Sequence, residues 1–435
     1  MPGTTSSIDE PLTAEHPDSP PRPPLQLPPW ATRRNAVLAG VVLLALVIVV
    51  VGTRGGGSKH APTPDPPGRP VAGWFPYWVG DWNPETTPFT ANQAYIDAVS
   101  PFWYQAGESG STDPTLLKVS TSDGSTIPSA MVDELRAAGV PVVPSVVDAF
   151  DAGGMAAILA DPAKRAAHVD ALVNLAAAQE WDGIDLDYER FAFADGADSW
   201  DATRPNWVAF VQELSTRLHA DGRQLIVTTP ALWKSDGKVQ YRVYDWEAIA
   251  PYVDSLRVMT YDWSTSQPGP LAPAYWVENT LAYATEAKVP PAKLQLGIPT
   301  YGKDWITATD GTCPQGVPLE SSSVPLKDME ALIAQVGATP TRDDSSGEMT
   351  FTYTSTPTGT APDGSQTSCT QRHEVWYLDQ AAVGERARLA AEHGSGVALW
   401  ALGYEPSWAW DAIKAAYPPP TTAPTATAAT AASTP

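Results

Sequence analysis

Cysteine is nearly absent from the 435 residues: Cys313 and Cys369 are the only two. That excludes a small fold held by several disulfides and a zinc site of four thiolates. Histidine is scarce as well, and none of the six falls in an HxxxH or HExxH spacing, so no zinc-hydrolase motif is present and no metal is expected. Basic residues are outnumbered, 27 Lys and Arg against 49 Asp and Glu, for a net charge of −22. Nucleic acid is excluded as a partner, because phosphate binding needs concentrated Lys and Arg. Charged residues reach only 17% while apolar residues reach 43% and include 17 Trp, so the chain can bury a core and is no disordered acidic polymer.

Proline is in excess, with 44 residues concentrated toward the two ends. Residues 1–35 are too poor in bulky apolar side chains to offset the entropy of ordering, and are expected to form a Pro-rich cytoplasmic tail. After Arg33-Arg34 comes an uncharged apolar run, AVLAGVVLLALVIVVVG over 36–52, whose length as a helix is about 25 Å, just enough to cross a bilayer. A cleaved signal peptide competes with this reading. Against it stand an n-region of about 35 residues, an apolar run longer than the usual h-region of roughly 7 to 15, and no clean A-x-A site. The expectation is an uncleaved transmembrane anchor with its N-terminus in the cytoplasm, set by the two arginines, and everything beyond it outside the membrane. Residues 53–70 read as a Gly/Pro linker, and 418–435 as a low-complexity tail. The folded region is then 71–417.

Within it, eight β-rich apolar runs recur. They begin at Val71, Ile96, Val140, Gly183, Gln224, Asp254, Lys293 and Gly396. Helical segments lie between them: Asp161-Pro162 supplies an N-cap and a first-turn proline, and Trp207, Phe210, Val211, Leu214 and Leu218 repeat at helical spacing before an Asp221-Gly222 stop. Eight βα repeats predict an α/β fold, a (β/α)8 TIM barrel, with an open doubly wound sheet as the alternative. The seventh and eighth runs stand far apart, which predicts a small insertion at about 306–375. That insertion holds both cysteines, read as a Cys313–Cys369 disulfide outside the membrane, with a free buried pair as the alternative.

The densest chemistry is Trp181-Asp182-Gly183-Ile184-Asp185-Leu186-Asp187-Tyr188-Glu189. A strand sends alternate side chains to opposite faces, so Asp185, Asp187 and Glu189 share one face and Ile184, Leu186 and Tyr188 the other. The apolar set suits the helix layer, which places three carboxylates in the lumen, rising to the C-terminal mouth. Crowded carboxylates cannot all ionise cheaply; at least one proton is shared and one group becomes a usable general acid. A solvated acidic edge and a DxD metal site are the competing readings.

DGIDLDYE resembles the DGxDxDxE signature of family 18 glycoside hydrolases, which include chitinases, endo-N-acetylglucosaminidases and spore peptidoglycan hydrolases. Other stretches are similar to the family as well: Met259-Thr260-Tyr261-Asp262 at the sixth strand, Gly297-Ile298-Pro299 with Tyr301-Gly302 at the seventh, and Trp400 at the eighth. FTYT from Phe351 and HEVWYLD from His373 resemble the α+β insertion of the bacterial cell-wall branch. One motif departs: Ser145-Val146-Val147-Asp148 stands where family chitinases often carry SxGG, a departure that points away from chitin more than from catalysis.

The resemblance implies a glycosidase that needs no cofactor and acts on an N-acetylglucosamine-containing polysaccharide by substrate-assisted, retaining catalysis, the substrate's 2-acetamido oxygen attacking the anomeric carbon. It implies that Glu189 protonates the leaving oxygen, Asp187 holds the acetamido group, Asp185 shares a proton with Asp187, and Tyr261 binds the acetamido oxygen. Trp400 would floor the sugar pocket, with Met259 and Asp262 nearby. Trp74, Tyr77, Trp103, Trp233, Trp263 and Trp305 are candidates to line the cleft, with Trp74 and Tyr77 foremost. A monomer is expected. A non-catalytic lectin on the same fold is the alternative, disfavoured by the presence of Glu189.

Overall fold

Seven of the apolar runs form parallel strands in chain order: β1 (Val71–Pro76), β2 (Ile96–Ala106), β3 (Ser145–Asp148), β4 (Gly183–Asp187), β5 (Gln224–Pro230), β6 (Ser255–Met259) and β7 (Leu294–Pro299). In this computed structural model, residues 69–79, 90–119, 129–235, 237–361 and 363–418 are described. The expected N-terminal tail, the anchor at 36–52, nearly all of the linker and all of the C-terminal tail but Pro418 lie outside those residues. Among the described residues no helix is long and apolar enough to cross a membrane.

An antiparallel sheet interrupts the repeat after β7. Its long strands are β8 (Tyr301–Gly311), β9 (Glu348–Ser355) and β10 (Gln366–Tyr377), with β10 paired to both others. The eighth barrel strand, β11 (Gly396–Trp400), follows. It pairs in parallel with β7 and with β1, and β1 pairs in parallel with β2, so the sheet closes on itself. Closure excludes the open doubly wound alternative. Strands such as β1 and β7 are buried along their whole length, because the lumen covers one face and helices the other, and that is why their sequences read as near-continuous apolar runs.

The helix signals work as written. Asp161 accepts the backbone N–H groups of Ala163 and Lys164 at 2.9 and 3.2 Å, and Pro162 opens helix α1 (Pro162–Ala178). Helix α2 (Trp200–Ala220) buries Trp207, Phe210, Val211, Leu214 and Leu218, and Gly222 follows at φ 71°. Helix α3 (Ala274–Glu286) follows β6; α4 (Leu326–Val336) belongs to the insertion; α5 (Gln380–His393) returns the chain to β11.

The insertion sheet starts at Tyr301, directly after β7 and earlier than the expected 306. Cys313 and Cys369 are bonded across a Cα–Cα distance of 4.7 Å; Gly311 faces Cys369 in the β8–β10 register, so the bond staples the outer end of that ladder. A buried carboxylate fastens the inner end. Glu348 at the start of β9 accepts the N–H groups of Leu271 and Ala272 at 2.8 and 2.6 Å, in the loop before α3. Arg386 of α5 stands 3.8 Å from Glu348 and donates to the Ala272 carbonyl at 2.8 Å. A buried carboxylate needs such donors to offset its lost hydration.

Candidate active site

The glycine of the Asp182-Gly183 step is required by space: a Cβ there would lie 2.3 Å from the Gln224 carbonyl oxygen of β5. From Gly183 the strand alternates as its sequence predicts. Tyr188 lies on the helix side, its hydroxyl 2.6 Å from His168 Nε2 on α1 and its ring stacked 6.0 Å from Phe210 of α2. Asp185 and Asp187 therefore project into the barrel. Glu189, two residues past the strand, is partly exposed at the C-terminal mouth.

Asp185 has no solvent exposure, and both its oxygens are occupied. Oδ2 accepts from Trp74 Nε1 at 3.1 Å, Ser145 Oγ at 2.9 Å and the Arg257 guanidinium at 3.2 Å; Oδ1 accepts from Thr228 Oγ1 at 2.8 Å. The expected proton between Asp185 and Asp187 has no counterpart in these contacts. Asp185 instead forms an ion pair with Arg257, equally buried two strands away on β6. Asp187 is the opposite case: its Oδ1 meets no hydrogen-bond partner among the described residues. Burial, followed by the negative Glu189, Asp185 and Asp148, raises its pKa well above the carboxylate range. Glu189 is pushed up to about 8, by burial and then by Asp148 and Asp262. Burial and mutual repulsion thus favour the protonated forms of the two upper carboxyls, while the Asp185 oxygens are held by fixed donors.

Tyr261 follows β6 and is buried to 9% exposure. Its position depends on Gly297 in β7, where a Cβ would come within 2.6 Å of the Tyr261 ring. Burial and the surrounding Asp187, Glu189, Asp262 and Asp185 keep its hydroxyl protonated, hence a donor at this end of the site. Asp262 takes a left-handed backbone at φ 57° and accepts from the Tyr301 hydroxyl. Met259 is half-buried at the end of β6.

The aromatic candidates separate into two kinds. Trp400 at the end of β11 is half-buried and touches Phe102 edge-on at 5.2 Å, Trp74 at 5.8 Å and Trp78 at 6.1 Å. Trp74 is only 1% exposed, so it corrects the expectation of a cleft wall: it supports Trp400 and Tyr261 from beneath and donates to Asp185. Tyr77 is half-buried, edge-on to Trp78 at 4.9 Å. Trp78, 44% exposed, was not singled out by the sequence. Beyond the mouth, Trp263, 38% exposed, packs edge-on to Trp233 at 5.8 Å. Trp103 and Trp305 are buried packing residues.

Arg257 and Thr228 were also missed, and Ser145 and Asp148 were noted only as parts of a departing motif, without a role. Arg257 left a signal, a charge inside the apolar SLRVM of β6, where only a buried counter-ion makes it tolerable.

A closed β/α barrel with proton-bearing carboxyls at its C-terminal mouth, beside aromatic faces that suit pyranose rings, is the layout of a glycosidase. Residues 128–405, more than half of the chain, match the family model described as Glycosyl hydrolases family 18, and the chain belongs to that family. It is 27% identical over 271 residues to the uncharacterized glycosylase YvbX of Bacillus subtilis, covering 61% of this chain and 70% of that one. To the cortical fragment-lytic enzyme of Bacillus anthracis it is 28% identical over 229 residues, covering 51% of this chain and 46%, under half, of that enzyme. The crystal structure of a chitinase from Chromobacterium violaceum superposes with a TM-score of 0.62 at 28% identity, covering 80% of this chain and 99% of that one.

Proposed function

We propose that this glycosidase cleaves β-1,4 bonds next to N-acetylglucosamine by substrate-assisted, retaining catalysis, in peptidoglycan or a chitin-like polymer outside the membrane. The observation that carries the reading is the arrangement along one strand. Asp185 is locked to Arg257, Asp187 has a free buried oxygen, and Glu189 bears a proton at the open mouth. In this reading Glu189 donates its proton to the leaving glycosidic oxygen. The acetamido oxygen of the sugar attacks the anomeric carbon, Asp187 engages the acetamido N–H, and Tyr261 donates to the acetamido oxygen. The oxazolinium that forms is opened by water, whose proton returns to Glu189, so the configuration is retained. Trp400, half-buried beside Phe102, is the floor for the ring.

A cortical fragment-lytic enzyme and a chitinase stand among its relatives, which supports a polymer of this class as the substrate. Mass spectrometry of the products from purified peptidoglycan and from N-acetylchitooligosaccharides decides between the two substrates. Cleavage of neither would sink the proposal. The apolar run 36–52 supports an anchored enzyme with its barrel outside. Protease added to intact cells then removes the barrel and leaves a small N-terminal fragment, whereas a full-length chain protected from protease contradicts this topology.

A further inference from the structure

One buried carboxyl near the site has no part in the mechanism above. Asp148 is the last residue of β3, and its neighbour Val147 pairs with Asp187 in the β3–β4 register. Asp148 therefore stands at the level of the Tyr188-Glu189 step, beside the backbone that carries Glu189. It is 8% exposed. Its Oδ1 accepts the Arg190 N–H at 3.4 Å, and the Glu189 N–H also faces this carboxyl. Those two N–H groups open the short helix Arg190–Phe193, where Glu189 is the N-cap and offers no side-chain cap of its own. Asp148 Oδ2 has no hydrogen-bond partner among the described residues, and neither does Arg190 Nε.

We propose that Asp148 is a positioning residue for the general acid: it holds the Glu189–Arg190 turn by its backbone N–H groups and, as a buried negative neighbour, keeps the proton on Glu189. The inference rests on the reading of Glu189 as the acid. Its starting point is the departure Ser145-Val146-Val147-Asp148, because a glycine at the last position would offer neither the acceptor nor the charge.

The electrostatics agree with the geometry. Asp148 is raised to about 7, by burial first and opposed by Arg190, with Asp195 adding to the rise. Glu189 is raised to about 8, with Asp148 the largest charged contributor. The lower of the two ionises first, and its charge then opposes ionisation of the other. The remaining groups that face Glu189 are Asp187 on β4, Tyr244 after β5, and Tyr261 and Asp262 after β6. Tyr188 and Tyr244 also face Asp148. Arg190 is the one cation among these neighbours, and it sits against Asp148.

The test is the pH profile of kcat/KM for the full chain and for Asp148→Asn, on whichever of N-acetylchitooligosaccharide and purified peptidoglycan the wild type cleaves. The amide keeps an acceptor for the backbone N–H groups and removes the charge. Glu189 then loses its proton at lower pH, and the alkaline limb moves down by about one pH unit. If the amide does not fold, Asp148→Ser is read in the same way. An alkaline limb in its wild-type place overturns the proposal, and so does a loss of activity that is uniform across pH. Glu189→Gln assayed alongside separates the two readings: if that variant stays active, the assignment of the acid fails; if it is inactive and the limb has not moved, Asp148 alone is misassigned.

Discussion

Asp185 and Arg257, on strands separated only by β5, meet inside the barrel at 3.2 Å, both with no solvent exposure. Each charge is tolerable only because of the other. Removing one partner leaves an uncompensated buried charge, which typically costs about 3–5 kcal/mol. Arg257→Met is therefore expected to lower unfolding stability by that amount in denaturant titrations. A loss below about 1 kcal/mol would show that the pair carries no such weight.

Glu189→Gln keeps the size and removes the transferable proton. Hydrolysis is expected to fall by about 10² to 10⁴-fold, the usual worth of general acid–base catalysis, with an unchanged thermal transition. Near-normal turnover would remove Glu189 from the mechanism.

How much of this was legible in the sequence depends on what each feature rests on. The eight strands, the Asp161 cap, the α2 stripe and the face shared by Asp185 and Asp187 follow from local alternation and capping chemistry, which a single chain displays. Contacts made in three dimensions were not. Arg257 reaches Asp185 from two strands away, and Asp148 meets the Glu189 turn from β3; no spacing in the sequence records either distance. Trp74 shows the same limit from the other direction, since its aromatic face suited a sugar cleft while packing buried it against Trp400.

Stability should fall as pH rises from mildly acidic to mildly alkaline. Glu348 and Glu405 are both buried and both raised to about 7 from the ordinary 4.5. A raised carboxyl binds its proton more tightly when folded, so its contribution is full below the unfolded value and is lost as pH climbs through the folded one. Melting temperature at pH 5 is expected to exceed that at pH 8, and Glu348→Gln is expected to flatten the slope. An equal or higher melting temperature at pH 8 would contradict the assignment.

Reduction of Cys313–Cys369 is expected to loosen the insertion sheet before the barrel. The 56-residue separation corresponds to a loop-closure term of about 4 kcal/mol in the chain-entropy model. Hydrogen exchange under reducing conditions should rise in β8 and β10 and stay low in β4. Uniform exchange across both regions would show instead that the two unfold as one unit.

The central claim is that the substrate supplies its own nucleophile, which a comparison of N-acetylated and de-N-acetylated oligomers of the same length measures most directly. Held in place, an internal nucleophile has a large proximity advantage; without the acetamido oxygen that advantage disappears. The account predicts cleavage of the acetylated oligomer, none wherever glucosamine occupies the subsite at the broken bond, and inhibition by a thiazoline analogue of the cyclic intermediate. Comparable turnover of the de-N-acetylated oligomer, or a covalent sugar adduct trapped on Asp187 with a fluorinated substrate, would contradict it.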